Sequence, residues 1–353
     1  MKPPPGERGQ ARGIKAVPSL PRTAKAAPPR RNRGRGQRYG SVMTERPKVT
    51  VLGSLNMDIS VTVPRLPAPG ATALGSAARF TPGGKGANQA VAAARLGAAV
   101  RMVGCVGDDD FGRQLLAALR AEGIDADATR VVRSVPTGLA MIAVDQAGEN
   151  LIIVASGANR QVGPADVAKA ALSNHGILII SAEIPAPAIE QALAQTPGRK
   201  ILNLAPAPEN AAELVAAAGE HLDWLVVNES EATAVLGRPV SGLADAKQAA
   251  TELTAKGPRH AVVTAGAHGA ALAGPDGART IEGFKVTAVD TVGAGDTFVG
   301  ALAVALAAGV PPPEALRAAA AAGAAAVTRP GAQAAMPRPA DILAATGLTW
   351  PAA

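Results

Sequence analysis

The chain has 353 residues, 48% of them hydrophobic and 2% aromatic, with a formal net charge of +7. That length and apolar content support a large core in one big domain or two, while the shortage of rings leaves few platforms for stacking bases. Residues 1–46 hold twelve Lys or Arg against Glu7 and Glu45, a net of +10, so the rest carries −3 and its charge gives no argument for nucleic-acid binding.

Residues 1–45 are rich in Pro, Gly and Arg and poor in apolar side chains, a composition that predicts disorder because it cannot offset the entropy of ordering. The stretch lacks the apolar core of a secretory signal. Two accounts of it stand: a basic arm for acidic surfaces, or an upstream extension of the reading frame with Met43 as the working start.

From Val49 onward, short apolar runs alternate with Ala/Leu-rich stretches. Val49 to Leu52, Ile177 to Ile180, Lys200 to Leu204, Trp224 to Val227 and Ala261 to Thr264 read as buried strands between helices. This predicts an α/β three-layer sandwich with a central, mostly parallel sheet covered on both faces. Ligands of such sheets bind beyond the carboxyl ends of the strands. Asn56, Glu183, Asn228 and Thr264 each stand at or just beyond the end of one of these runs, which argues for a single site.

Two stretches break the alternation. Residues 57–82 carry Ile59-Ser60-Val61-Thr62-Val63 and several prolines, and residues 136–154 read as a hairpin turning near Gln146-Ala147-Gly148. Together they predict a small β-sheet outside the main one. Between them Gly83-Gly84-Lys85-Gly86-Ala87-Asn88 puts a glycine-rich turn before a helix.

The segment Asp290-Thr291-Val292-Gly293-Ala294-Gly295-Asp296 is the most informative. Small residues precede an apolar run, Phe298 to Val310, so the turn opens a helix whose first N–H groups attract anions, phosphates above all. A carboxylate there, Asp296, either complements the helix dipole or handles a proton in phosphoryl transfer. Asn56, Asp58 and Asn88 offer donors and acceptors suited to sugar hydroxyls, or are ordinary loop residues. The apolar runs 298–310 and 318–327 are shorter than the ~20 residues a bilayer needs and read as buried helices. One cysteine, Cys105, excludes an internal disulfide and fits a reducing, cytoplasmic setting.

In this order, Gly53-Ser54-Leu55-Asn56-Met57-Asp58, the Gly83–Asn88 turn and the Asp290–Asp296 turn resemble the ribokinase-like (PfkB) carbohydrate kinase family over roughly residues 48–340. The resemblance implies a kinase domain over 46–348 whose small sheet is a lid over a sugar and a homodimer contact. It implies transfer of the ATP γ-phosphoryl group to the 5-hydroxyl of D-ribose, with no specific nucleic-acid partner and no membrane. Asp296 would be the base, and the Gly293, Ala294 and Gly295 amides an anion hole. The sugar would contact Asn56, Met57, Asp58, Gly84, Lys85, Gly86, Ala87, Asn88, Glu183 and Asp296, with Lys85 acting through its backbone. Glu183 otherwise reads as a helix-capping acid before Pro185.

ATP would use Asn228, the turn Thr264-Ala265-Gly266-Ala267-His268-Gly269, Gly295 and Asp296. The Asn228-Glu229-Ser230-Glu231 element implies Mg²⁺ held through water by Glu231, which otherwise reads as a first-turn helix acid. A K⁺ site is implied at Asp290 and at Val292, Ala326, Arg329, Gly331 and Ala335; alanine at 335 departs from the family's serine. A kinase for deoxyribose or adenosine, or a sugar-binding regulator without catalysis, are the rival readings.

Overall fold

The structure, a computed structural model, describes residues 45–172 and 176–351. The disorder expected for the basic N-terminal segment and the choice of Met43 as start fall on residues 1–44, outside the described residues. The first half of the chain forms β1 (Lys48–Leu52), β2 (Asn56–Thr62), β3 (Arg79–Gly83), α1 (Lys85–Arg95), β4 (Ala99–Val103), β5 (Cys105–Gly107), α2 (Asp110–Ala121), β6 (Arg130–Val132), β7 (Gly138–Val144), β8 (Asn150–Ala155) and α3 (Pro164–Leu172). Then come β9 (Ile177–Ser181), α4 (Ala186–Gln195), β10 (Arg199–Asn203), α5 (Ala211–Ala218), β11 (Trp224–Asn228), α6 (Glu229–Leu236), α7 (Gly242–Thr254) and β12 (His260–Thr264). The chain closes with β13 (Gly269–Gly274), β14 (Gly277–Glu282), α8 (Ala294–Ala307), α9 (Pro312–Ala326) and α10 (Pro339–Thr346).

Eight strands make the main sheet in the order β14-β13-β12-β11-β10-β9-β1-β4. Its members from β4 to β12 pair in parallel, whereas β13 and β14 turn antiparallel at the edge. The α/β sandwich with a mostly parallel sheet is thus the observed fold.

The apolar runs are continuous because both faces are covered. Along β9, Ile177 and Ile179 face one core cluster while Leu178 and Ile180 face the other. All four are fully buried, each contributing about 1.5–3 kcal/mol of apolar burial. Helices α1, α2, α8, α9 and α10 line the first cluster, and α3 to α7 the second.

Alanine lets α8 and α1 approach closely, and at Gly300 they meet backbone to side chain. A Cβ added there would lie 2.8 Å from both Ala92 Cβ and Gln89 O. That contact sits one turn beyond Asp296, so it sets how α1 presents its first turn to the start of α8.

The two stretches that interrupt the alternation meet in a four-stranded sheet, β3-β2-β7-β8. β2 runs antiparallel to β3 but parallel to β7, and the β7–β8 hairpin turns where Asp145 Oδ1 accepts from the Ala147 and Glu149 N–H groups. Every residue of β8 is exposed, including Leu151, Ile152, Ile153 and Val154.

Candidate active site

Strands β9 to β12 end in Ser181, Asn203, Asn228 and Thr264, one beside another at the carboxyl edge of the sheet. The N-terminus of α8 faces this edge. Gly293 caps the helix with φ of +77°, a left-handed conformation that L side chains adopt only under strain. Two residues into the helix, Gly295 and Asp296 belong to the initial amides that have no intrahelical acceptor. The Ala294 N–H is 3.3 Å from Thr291 O and closes the turn. Of the three expected anion-hole residues, Ala294 thus gives its N–H to the turn, and Gly293 and Gly295 line the cavity.

Asp296 is 7% exposed. Its Oδ2 accepts from Asn88 Nδ2 at 2.9 Å and its Oδ1 from Gln89 Nε2 at 3.0 Å. Burial pushes the carboxyl pKa above its usual range, against the Lys85 charge and the two amide hydrogen bonds. Asn88 is itself held by Gln333, whose Nε2 donates to Asn88 Oδ1 at 3.1 Å.

Two cavities open here. One, of about 250 Å³, is lined by Lys85, Asn228, Glu231, Thr264, Gly295 and Asp296 among others. The other, of about 360 Å³, is lined by Asn56, Asn159, Arg160 and Glu183, with Val154 of β8 in its wall. Lys85 and Glu183 join them: the Lys85 N–H donates to Glu183 Oε2 at 3.3 Å, and Ser54 Oγ donates to the same oxygen at 2.6 Å. Glu183 is thus a capping acid, but for α1, not for the helix that follows Pro185.

Burial alone would discharge the Lys85 ammonium. The carboxylates of Asp296, Glu183, Glu231 and Asp58 outweigh that and hold its pKa above the ordinary value. The Lys85 N–H, expected to contact the sugar, donates here to Glu183, and its ammonium has four carboxylates around it. Burial, then Glu183 and Asp296, lift the Asp58 carboxyl to about 7 against the pull of Lys85.

Three residues expected at the sugar have partners within the chain. Met57 is 1% exposed, its side chain in the core and its backbone laddered between Pro82 and Leu139. The Gly86 and Ala87 amides are spent on Ser54, through its Oγ at 3.4 Å and its carbonyl at 3.0 Å, so they dock α1 onto the loop after β1. On the other side of the edge, Asn228 and Glu231 form a reciprocal capping box at the start of α6. Asn228 Oδ1 accepts from the Glu231 N–H, while Asn228 N and Nδ2 donate to the two Glu231 carboxylate oxygens. Glu231 is thus the first-turn acid of α6, and it also lines the cavity, where burial raises its pKa. Of the turn after β12, Thr264 reaches the cavity, and the Ala265 and His268 amides are used within the turn region, on Gly269 O and Ala265 O.

Asp290 clamps two loops: Oδ1 accepts from the Val292 N–H at 3.0 Å and Oδ2 from the Gly331 N–H at 2.8 Å. Ala335 is wholly buried in the short helical turn Gln333–Ala335. Sequence reasoning missed Gln89, Asn203 and Asn159. Asn159 brackets the Leu55 peptide and donates from Nδ2 to Asn56 Oδ1 at 2.7 Å, which turns the Asn56 amide nitrogen away as a donor. Asn203 was discoverable, since it ends a strand at the same edge as Asn228 and Thr264.

A glycine-opened helix start with a buried carboxylate, facing a polar strand edge, defines a phosphotransferase of the carbohydrate-kinase class. The chain belongs to the pfkB family of carbohydrate kinases, whose profile matches residues 46–339. It is similar to ribokinase from Haemophilus influenzae, 38% identical over 297 residues, which cover 83% of this chain and 96% of that one. Among solved structures it is similar to ribokinase from Thermotoga maritima (TM-score 0.75, 35% identity, 84% and 98% covered). It is also similar to Arabidopsis thaliana ribokinase complexed with ribose and ATP (TM-score 0.74, 32% identity, 85% and 98% covered).

Proposed function

We propose that this chain transfers the γ-phosphoryl group of ATP to the 5-hydroxyl of D-ribose. The observation that carries the reading is Asp296, buried at the mouth of α8 and bordering a cavity shared with Lys85, Asn228 and Gly295. Its resemblance to ribokinases along nearly their whole length supplies the substrate. The sugar lies toward Asn56, Asp58 and Glu183, and the nucleotide toward Asn228, Thr264 and Glu231. As the bond from O5 to the γ-phosphorus forms, the bond from that phosphorus to the bridging oxygen breaks, and ADP leaves with the electron pair. The hydroxyl proton passes to Asp296. The Gly293 and Gly295 amides and the Lys85 ammonium face the charge on the migrating group, and positioning supplies much of the rate.

Both Glu231 oxygens accept from Asn228, a donor set that fits a Mg²⁺ ion held through water better than one ligated directly. A Mg²⁺ ion held there would supply positive charge against the phosphates. For K⁺, Asp290 draws the Val292 and Gly331 loops together, which fits a cage of carbonyls with Ala326 and Arg329. Ala335 brings only its carbonyl. A K⁺ ion held by these residues would supply a fixed positive charge near the loop that opens α8.

The β3-β2-β7-β8 sheet acts as lid and homodimer contact, its edge strand β8 carrying Leu151 to Val154 about half exposed. Ile152→Glu is expected to convert a dimer to a monomer in sedimentation velocity. The kinase unit is residues 46–348, the basic segment before it is dispensable for turnover, and the enzyme works in the cytoplasm. No helix among the described residues is long and apolar enough to cross a membrane.

An ADP-release screen over ribose, deoxyribose, other sugars and adenosine tests the whole reading. Ribose is expected to give the highest kcat/KM; a higher value for deoxyribose or adenosine overturns the substrate, and ribose binding without ADP release overturns the enzyme. Asn56 carries the ribose preference. With its oxygen held by Asn159 and the residue lining the cavity, its amide nitrogen would donate to a hydroxyl oxygen that deoxyribose lacks at one position.

A further inference from the structure

Gln89 is a polar residue with no exposed surface, and the mechanism above gives it no part. Its Nε2 donates twice, to Asp296 Oδ1 at 3.0 Å and to Asn203 Oδ1 at 2.9 Å. Asn203 in turn donates from Nδ2 to Val226 O at 3.3 Å, so this chain of amides is anchored on the sheet. With both Nε2 hydrogens used, Gln89 Oε1 is buried with no partner, a state that native proteins seldom keep without a role for it. The opposite amide orientation would aim that oxygen at two other oxygens. Gly300, whose added Cβ would meet Gln89 O at 2.8 Å, holds α1 against α8 one turn beyond Asp296, so the donor cannot drift.

We propose that Gln89, backed by Asn203, is a positioning residue that fixes the plane of the Asp296 carboxylate and keeps its remaining lone pairs aimed into the cavity beside Lys85 and Gly295. The proposal rests on the reading of Asp296 as the base. Lys85 of α1 favours the Asp296 anion, and Asp58 of β2, Glu183 beyond β9 and Glu231 of α6 oppose it. Burial opposes it most, and the Gln89 and Asn88 donors work against burial. Without the Gln89 donor the carboxylate protonates more readily, so the acid limb of turnover moves to higher pH.

Gln89→Met keeps the volume and removes the donor. The full chain with Mg²⁺, K⁺, ATP and ribose is assayed from pH 5 to 9 beside the wild type, with thermal melts. The expected result is kcat lower by ten- to a hundredfold, KM for ATP within twofold, and the acid limb higher by about half a pH unit or more. A kcat within twofold of wild type, or a lower kcat with an unmoved limb, overturns the proposal; the latter is what a merely structural role gives. Should Gln89→Met fail to fold, Asn203→Leu removes the backing acceptor instead. It is expected to lower kcat three- to tenfold with a limb shift of the same sign, and an unchanged profile overturns the proposal. The parent reading fails separately: Asp296→Asn retaining turnover sinks the base, whereas unaffected Gln89 variants beside a dead Asp296→Asn sink only the positioning role.

Discussion

Replacing Asp296 by asparagine removes the one acidic side chain of the α8 turn while changing almost no volume. Two effects follow and have opposite signs. Turnover loses its proton acceptor, a role worth about 10²–10⁴ in rate; a value near 10³ corresponds to about 4 kcal/mol in the barrier. Stability, by contrast, sheds a buried charge whose pKa lies above its usual range because desolvation outweighs Lys85 and the two amides. Against that gain, a new amide nitrogen meets a donor, Asn88 Nδ2 or Gln89 Nε2, where an oxygen used to accept. An unpaired buried donor costs about 1–3 kcal/mol. The melting temperature should therefore stay within a few degrees of wild type while kcat falls about a thousandfold and KM for ATP and ribose holds within threefold. Steady-state kinetics and a thermal melt on the same preparation decide it. More than a tenth of wild-type kcat in the variant would refute the general-base assignment, and a loss of fold would refute the balance of terms just given.

Gly300→Ala puts a methyl 2.8 Å from Ala92 Cβ and Gln89 O; overpacking of this kind costs about 1–3 kcal/mol, and denaturant titration should show it together with a kcat loss of tenfold or more. Burial, then Glu183 and Asp296, lift the Asp58 carboxyl from 3.8 to about 7, so the folded state binds the proton more tightly and apo stability falls as pH rises between those values. The ceiling is about 4 kcal/mol, and Asp58→Asn should raise the sugar-free melting temperature at pH 8 but not at pH 4. Equal effects at both pH values would count against it. Asp166 is buried and ion-paired with Arg130 at 2.8 Å. Arg130→Met strands that acid at about 3 kcal/mol, the low end for a broken buried pair because Arg130 is partly exposed. It also loosens the Gly157–Gln161 turn that Arg130 holds through Gln161 O, so KM for ribose should rise severalfold with Asn159; an unchanged melt and KM would show the pair to be ornamental.

The strands and the two glycine turns were legible because each signal is local. A run such as Ile177–Ile180 is apolar at every position only when both sheet faces are covered, and a small-residue turn before an apolar run opens a helix wherever it stands. Asp296 stood out as the candidate base because it is the one carboxylate at such a turn. What sequence could not give was the pairing. Gln89 reads as one more polar residue of α1 until α8 is laid across it, and Asn159 reads as a loop residue until β2 is beside it. Met57 shared a loop motif with two polar neighbours, yet strand alternation turns it inward. Lys85 was read as acting through its backbone, since the acids around its ammonium come from β2, the loop after β9, α6 and α8. Glu183 had a capping role in the sequence reading too, but the helix it caps begins 98 residues earlier.

The bond between Asn88 and Asp296 spans 208 residues, and that between Asn88 and Gln333 spans 245. Closures of this length come late in folding, after local turns and neighbouring strands have formed. A growing chain therefore has no working centre until its last third has emerged and docked onto its first. Recovery of turnover after dilution from denaturant should lag behind recovery of helical signal, and kinase activity is itself a gauge of complete folding in this protein.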